Sequence, residues 1–194
     1  MRLISKEEFC LTIGVIIMLN LSGCSGFEFK KYISKDNRIN LSMDYIKDWQ
    51  YSETRGSYGS YAQVMFFPFK KGQRSSRAIM AVTVKNSSKM QPVSPALGTL
   101  VGDLLAKRMQ FKDAKVLSKT KMRILGTDAV AIELSYLTLE NLLDVSSKLI
   151  SVKEKVIILK SGNSYYFLRF SDSSEEFDKY NSAFTHMIES ISLK

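Results

Sequence analysis

The stretch ISVKEKVIILKSGNSYYFLRFS, residues 150–171, determines the fold more than any other part of this 194-residue chain. Two runs rich in β-branched and aromatic residues flank Ser161, Gly162 and Asn163. Strands favour such residues, and a short loop containing Gly and Asn favours a tight reversal of the chain. The stretch therefore predicts an antiparallel hairpin.

The residues after this hairpin predict a helix near 173–190. Ser173 is followed three residues later by Glu176, the spacing of a capping box, and acidic residues suit the first turn of a helix. An apolar stripe then recurs at helical spacing through Phe177, Tyr180, Phe184, Met187 or Ile188, and Ile191. We expect this stripe to be part of the hydrophobic core.

Upstream of the hairpin the sequence predicts further strands. They are RINLSMDYI (38–46), SYAQVMFFPF (60–69), RAIMAVTVK (77–85), AKVLSKTKMRI (114–124) and DAVAIELSYLT (128–138), the last two joined by a turn at Leu125-Gly126-Thr127.

One helix is predicted among these strands, near residues 95–110. We expect Ser94 to cap it and Pro95 to occupy its first position. Gly98 and Gly102 are expected to mark close packing on the sheet. Runs of strands with one helix inserted and another at the end predict an α+β fold, a mainly antiparallel sheet with helices packed on it.

Several of these segments together resemble the PsbP-like domain. They are LSMDYIKDWQ (41–50), the middle helix, the late strand NSYYFLRFS (163–171) and the final FDKYNSAFTHMIESI (177–191). The family often has Tyr-Pro-x-Gly-Trp where this chain has Tyr45-Ile46-Lys47-Asp48-Trp49. The resemblance covers roughly residues 28–194. It implies an α/β/α sandwich, found in the photosystem II extrinsic protein and in many bacterial lipoproteins, that mostly serves as a non-catalytic assembly factor or binding module.

The N-terminal segment has the pattern of an export signal. Phe9–Leu21 is an apolar run of about 20 Å as a helix, too short for a hydrocarbon core of roughly 30 Å. Leu21-Ser22-Gly23-Cys24 then resembles the lipobox of bacterial lipoproteins. The resemblance implies a signal peptide over 1–23 and diacylation of the Cys24 sulfur, so that a single domain over 24–194 is anchored by lipid. A buried N-terminal helix with an incidental Cys is the alternative.

The chain carries a formal net charge of +9, with 28 basic and 19 acidic residues. Outside a cell, a basic protein meets anionic lipid, anionic polymers or acidic proteins, so we expect no nucleic-acid partner. Basic residues concentrate in the segment 105–123 and in the loop before 77–85, where partner-binding candidates are Lys70, Lys71, Arg74 and Arg77. General solubility is the alternative role for this charge.

Aromatic residues concentrate around Tyr45 and Trp49, with Tyr51, Tyr58 and Tyr61 nearby in sequence. As a binding site, Tyr45 and Trp49 would stack a sugar or hold a peptide. As a core corner, they would pack inside the sandwich, with one exposed hairpin beside them.

Residues that usually perform chemistry are scarce. The chain has two Cys and one His, His186, which is too few for a conventional triad or a two-His metal site. Asp44 with Asp48, and the acidic group after Asp172, are the carboxylates to be considered. We therefore expect no catalytic residues, no cofactor and no metal.

Together these patterns predict a monomeric lipoprotein domain of the cell membrane or outer membrane, facing the periplasm or the exterior. Its expected role is that of a binding or assembly module rather than an enzyme. A carboxylate-dependent hydrolase of envelope glycans and a carrier of a small apolar ligand are the alternatives.

Overall fold

The computed structural model describes residues 26–56, 61–68, 78–86, 95–140 and 146–193. These residues form ten strands and two helices. The strands are β1 (Phe29–Ile33), β2 (Leu41–Ile46), β3 (Trp49–Arg55), β4 (Ala62–Pro68), β5 (Ile79–Asn86), β6 (Lys112–Ile124), β7 (Thr127–Leu139), β8 (Leu149–Ser161), β9 (Ser164–Ser173) and β10 (Ser192–Leu193). The helices are α1 (Leu97–Arg108) and α2 (Phe177–Glu189). Every strand segment predicted from the sequence is confirmed, with ends shifted by a few residues.

The strands form two sheets in which every described pair is antiparallel. The larger sheet has seven strands in the order β3-β4-β5-β9-β8-β7-β6, and the smaller has the order β1-β2-β10. The predicted α+β class with a mainly antiparallel sheet is therefore correct.

The two helices cover opposite faces of the larger sheet, which follows from the alternation of side chains along a strand. On β8, Ile157 and Leu159 belong to the core beneath α2 and the smaller sheet. Their neighbours Val156 and Ile158 belong to a separate core beneath α1. The larger sheet is thus the middle layer of the sandwich. Neither described helix is long and apolar enough to cross a bilayer.

The hairpins have the turn chemistry that their sequences require. Ser161 pairs with Ser164, and Gly162 has a φ of +55°, as expected at the first turn position of a type II′ hairpin. Ile124 pairs with Thr127, and both Leu125 (φ +53°) and Gly126 (φ +75°) lie in the left-handed region, which is the type I′ pattern.

Helix α1 begins later than predicted. Its N-cap is Ala96, without a side-chain cap, so Pro95 precedes the helix rather than opening it. Ser94, the predicted cap, lies outside the described residues. Pro95 instead accepts a hydrogen bond at its carbonyl from the Tyr165 hydroxyl of β9. The expectation that Gly98 and Gly102 pack closely on the sheet is wrong, because a Cβ at either position would meet no atom within 4 Å.

Helix α2 carries the predicted stripe. Phe177, Phe184, Met187 and Ile191 are buried, and the Ser173 Oγ accepts a hydrogen bond of 3.3 Å from the Glu176 N–H. This bond is one half of the expected capping box, although regular helix begins only at Phe177. The stripe packs on β9, where the Phe170 ring stacks on Phe177 at 4.7 Å.

Candidate functional site

Strand β6 is the edge of the larger sheet and its least buried element. Of its thirteen residues only Ile124 is buried and Ala114 is half-buried. Among the described strands, β6 pairs with β7 alone, through a ladder interrupted by two irregularities, between Lys112 and Lys115 and between Val116 and Ser118. Its other edge carries backbone groups that no described strand pairs with.

The side chains of β6 are strongly basic. We call its basic residues the basic edge: Lys112, Lys115, Lys119, Lys121 and Arg123. All five are exposed, and no ion pair within 4.0 Å between described residues involves them. Arg123 donates a hydrogen bond of 2.7 Å to the carbonyl of Gly126, which holds its guanidinium beside the turn. The basic edge is therefore a row of cations facing solvent in the described structure.

Large apolar side chains are exposed beside these cations. Val116, Leu117 and Met122 on β6 expose 44%, 48% and 37% of their surface. Leu125, in the turn that follows, exposes 44%. Cations interleaved with exposed apolar side chains on one strand can attract an acidic partner and bury apolar area with it.

The aromatic candidates are placed differently. Tyr45 and Trp49 each expose only 4% of their surface. The Tyr45 ring lies 5.0 Å from Phe66, and Trp49 meets Tyr180 of α2 edge-on at 5.3 Å. Their burial favours the core-corner interpretation over a binding role for these two residues. Among the described aromatic residues of this neighbourhood, Tyr51 and Tyr61 are exposed.

The remaining partner-binding candidates, Lys70, Lys71, Arg74 and Arg77, lie outside the described residues, as does Cys24 with the whole predicted signal peptide. Their roles stay predictions. The basic edge was visible in the sequence as part of the basic segment 105–123, and the Lys119, Lys121 and Arg123 alternation was its sharpest signal. The sequence does not single out these residues, because it does not show that their strand lies at a sheet edge.

The two buried carboxylates of the larger sheet face opposite sides. Glu154 lies on the α1 side, where Arg108 donates two hydrogen bonds to it, at 2.6 Å and 2.9 Å. These bonds raise the pKa of Arg108. Asp172 lies across from Lys153, one position along the ladder, and therefore on the α2 side, where it accepts a hydrogen bond from the Ser173 N–H. The sheet separates Glu154 from Asp172, so they do not form a paired-acid site.

The acids near Trp49 also have structural roles or lie in turns. Asp44 lies 3.4 Å from His186 Nε2, and its N–H donates to the Ser190 Oγ, which ties β2 to the end of α2. The His186 ring packs on Phe29 at 4.0 Å. Asp48 is exposed in the turn between β2 and β3. Among the described residues, no three His, Cys, Asp or Glu side chains cluster as a metal site would require.

A concavity of about 270 Å³ lies between the β1–β2 connection, the end of β5 and the starts of β4 and β9. Its lining includes the exposed Asn37, Arg38 and Tyr61 and the buried Tyr166. Arg38 is held by Asp36, whose carboxylate accepts bonds from both Arg38 and Arg55. This groove has polar walls but no buried acid–base pair among its lining residues.

Comparison with known proteins identifies relatives by structure alone. No family model matches the chain, and no curated protein matches it in sequence. The cyanobacterial PsbP (CyanoP) of Synechocystis is similar over 90% of this chain and 99% of its own, with 14% identity and a TM-score of 0.55. LpqN of Mycobacterium tuberculosis is similar over 94% of this chain and 96% of its own, with 12% identity and a TM-score of 0.55.

A third similar structure is Mog1p, the Ran-binding protein of Saccharomyces cerevisiae. The similarity covers 86% of this chain and 96% of Mog1p, with 8% identity and a TM-score of 0.53. Because these identities are so low, the comparisons establish the architecture and not the activity. The protein has the α+β sandwich fold of the PsbP-like structures.

Proposed function

We propose that this protein is a lipid-anchored, non-catalytic binding or assembly module of the cell envelope, which meets an acidic partner through the basic edge. The observation that carries the proposal is the exposed position of β6, with five cations and several apolar side chains on a strand whose outer side no described strand covers. A surface of this composition suits recognition rather than chemistry.

The N-terminal sequence supports the anchor. A short apolar run that ends in Leu21-Ser22-Gly23-Cys24 would put the lipidated residue five positions before β1, which begins at Phe29. Two or three acyl chains hold a protein stably at a membrane, whereas one chain does so only marginally. The domain would therefore work close to the membrane surface, outside the cytoplasm.

The similar structures support a binding role in general terms. LpqN is involved in cell envelope biogenesis, and Mog1p is a Ran-binding protein. The buried acids add support, since Glu154 is bonded to Arg108, and Asp172 lies on the other face of the sheet. The described residues offer no comparable support for a hydrolase that uses paired acids or for a carrier of an apolar ligand. The apolar hollow between Leu41, Ile124 and Ile191 is too narrow to admit a water-sized sphere.

The anchor is tested by mass spectrometry of the protein purified from membranes. We expect a mature N-terminus at Cys24 that carries acyl chains. An intact Met1, or an unmodified Cys24 in the membrane fraction, would contradict the anchor and leave the binding surface to be judged separately.

The binding surface is tested by pulldown from native membranes at about 0.1 M and about 1 M salt, between which the screening length falls from about 10 Å to about 3 Å. We expect the wild-type protein to retain a partner at low salt and lose most of it at high salt. The variant Lys119→Thr/Lys121→Thr/Arg123→Thr should lose the partner at both. A matched variant with Lys70, Lys71, Arg74 and Arg77 changed to Gln measures how much the predicted basic loop contributes to partner binding. A partner held equally by wild type and the β6 variant at both salt concentrations would refute the role of the basic edge.

A further inference from the structure

We propose that β6, between Lys119 and Arg123, accepts an acidic, extended segment of a partner protein as an added antiparallel strand of the larger sheet. This inference rests on the proposed function and goes further, because it specifies the binding mode and the sequence pattern of the partner. Its basis is the direction of the backbone and of the side chains along this part of β6.

The backbone direction follows from the hairpin register. Ile124 and Thr127 close a two-residue turn, so this pair exchanges both of its backbone hydrogen bonds. The next pair, Arg123 with Asp128, is then a non-bonded pair, and the alternation continues through Met122 with Ala129 and Lys121 with Val130. The N–H and C=O groups of Lys119, Lys121 and Arg123 therefore point away from β7, toward the open edge.

The side chains of the same three residues share one face of the sheet. Lys119 and Lys121 lie opposite Ile132 and Val130, which belong to or pack against the core beneath α1, so they project on the α1 side. Successive cations of this row are about 7 Å apart, since each residue of a strand advances roughly 3.3 Å. An added antiparallel strand would place every second side chain directly opposite a cation. Acidic residues at those positions match the row in charge and spacing.

The β6 residues between the cations specify the remaining positions of the partner's sequence pattern. Thr120 and Met122 project on the opposite face, and Met122 exposes 37% of its surface. A partner strand would place its remaining side chains beside them, where apolar or Thr side chains gain contact with Met122. The preferred partner segment therefore alternates acidic residues with Thr or apolar ones.

Charge and backbone pairing together favour an acidic peptide strand over two other binding partners, a second copy of this chain and an anionic lipid surface. Two copies of the chain paired edge to edge through β6 would bring like charges together, which is the usual effect of lysines on an edge strand. An anionic lipid surface would use the cations but leave the outward backbone groups unpaired by a strand. An acidic peptide strand uses both the cations and the backbone groups.

The test measures binding of a defined peptide to the full-length lipidated protein in neutral detergent. The probe is an acetylated and amidated seven-residue peptide in which four Glu residues alternate with three Thr or Val residues, beginning and ending on Glu. In the proposed arrangement the Glu N–H groups donate to β6 and the others point away. We expect N-methylation of the two inner Glu residues of the peptide to weaken binding about tenfold or more, and N-methylation of the Thr or Val residues to change it less than about threefold.

Variants of β6 test the same backbone hydrogen bonds by changing the protein rather than the peptide. Lys121→Pro removes an N–H that the register directs away from β7, whereas Lys121→Thr removes the charge and keeps the N–H. We expect Lys121→Pro to bind the unmodified peptide several-fold more weakly than Lys121→Thr. Amide hydrogen exchange should show that the Lys119, Lys121 and Arg123 amides exchange fast in the free protein and are protected by the peptide.

Several results would overturn strand addition. One is equal binding of the two N-methylated peptides, which would indicate recognition by charge alone and leave the proposed function standing. Others are slow exchange of these three amides without peptide, a dimer that depends on β6, and binding of vesicles with anionic lipid but not of the peptide. Failure of the proposed function itself would appear in the membrane pulldown, as a partner insensitive to salt and to the β6 variant.

Discussion

The two faces of the larger sheet are built on different principles. In the described residues, the core beneath α2 and the smaller sheet contains twenty-six buried hydrophobic side chains, against seven in the core beneath α1. The first face holds most of the aromatic contacts, from Trp49 and Tyr180 to Phe170 and Phe184. The second holds the buried ion pair of Arg108 with Glu154.

The contrast separates stability from recognition. Burial of apolar surface is the main favourable term in folding, so the α2 face should provide most of the stability. The α1 face is smaller, and its helix is positioned partly by charge. Beyond it, the sheet continues into β6, where burial almost ceases and the cations of the basic edge begin.

Phe184→Ala should produce the largest loss. Phe184 is 3% exposed and its ring lies 5.6 Å from that of Phe170, so truncation leaves a cavity in the larger core. Removal of a buried Phe typically costs about 3–5 kcal/mol in the free energy of unfolding, measured by chemical denaturation. Phe111→Ala is the matched control, because Phe111 is 39% exposed and lies outside the larger core, where it stacks on Tyr136 and lies 5.9 Å from the Arg108 guanidinium. If both variants melt as the wild type does, α2 does not cover the main core.

Glu154→Gln should destabilise the α1 face by about 2–3 kcal/mol. Arg108 would lose a charged partner while remaining mostly buried, and uncompensated buried charges are costly. The smaller value, compared with about 3–5 kcal/mol for a fully buried pair, reflects the partial exposure of Arg108. The double variant Arg108→Met/Glu154→Leu removes these two charges but leaves Arg169, whose Nε lies 3.7 Å from Glu154, without its acidic partner, so it should recover only part of the loss. If Glu154→Gln alone is neutral in denaturation experiments, the ion pair does not position α1.

Acid should remove a contribution from Asp36 of about 1–2 kcal/mol: the full pKa difference would correspond to about 2.6 kcal/mol, and solvent screening of the partly exposed Arg38 and Arg55 reduces it. The hydrogen bonds from Arg38 lower the pKa of this carboxyl to about 2, below the ordinary value of about 3.9 in an unfolded chain. Because the folded pKa is the lower one, the contribution is complete above about pH 4 and is lost as the pH falls toward 2.

The measurement for Asp36 is the unfolding free energy as a function of pH. Asp36→Asn should be less stable than wild type at pH 7 and should lose less stability between pH 4 and pH 2. Parallel curves for the two proteins in that interval would contradict the assignment. Glu28→Gln is a suitable control, since Glu28 is exposed and pairs with the exposed Lys47.

Neutralising the basic edge should have the smallest effect on stability and the largest on binding. Lys119→Thr/Lys121→Thr/Arg123→Thr changes only exposed side chains, and such changes usually alter the unfolding free energy by less than about 0.5 kcal/mol each. Denaturation curves close to wild type, together with loss of the partner in the pulldown, would place recognition at β6. A large loss of stability would show that this edge is structural.

The sequence alone determined the class of this fold, because the information is local. Each signal involves only a few neighbouring residues. Alternation in DAVAIELSYLT predicts a strand, Gly162 predicts a turn, and the apolar stripe of α2 predicts a helix. The sequence predicts structure less well where local propensities are ambiguous. Helix α1 begins at Leu97 rather than at the predicted Pro95, and Gly98 and Gly102 face open space rather than the sheet.

Only the tertiary structure decided which residues are available for function. Tyr45 and Trp49 form a conspicuous aromatic group in the sequence, yet both are buried: Tyr45 packs on Phe66 of the larger sheet, and Trp49 packs on Tyr180 of α2. Lys119, Lys121 and Arg123 belong to a strand whose sequence pattern resembles that of the other strands. They become a candidate site only because β6 is an edge strand of the larger sheet. Strand order depends on which distant segments pair. An edge strand and a central strand of similar sequence therefore differ in how much of their backbone and side chains is exposed.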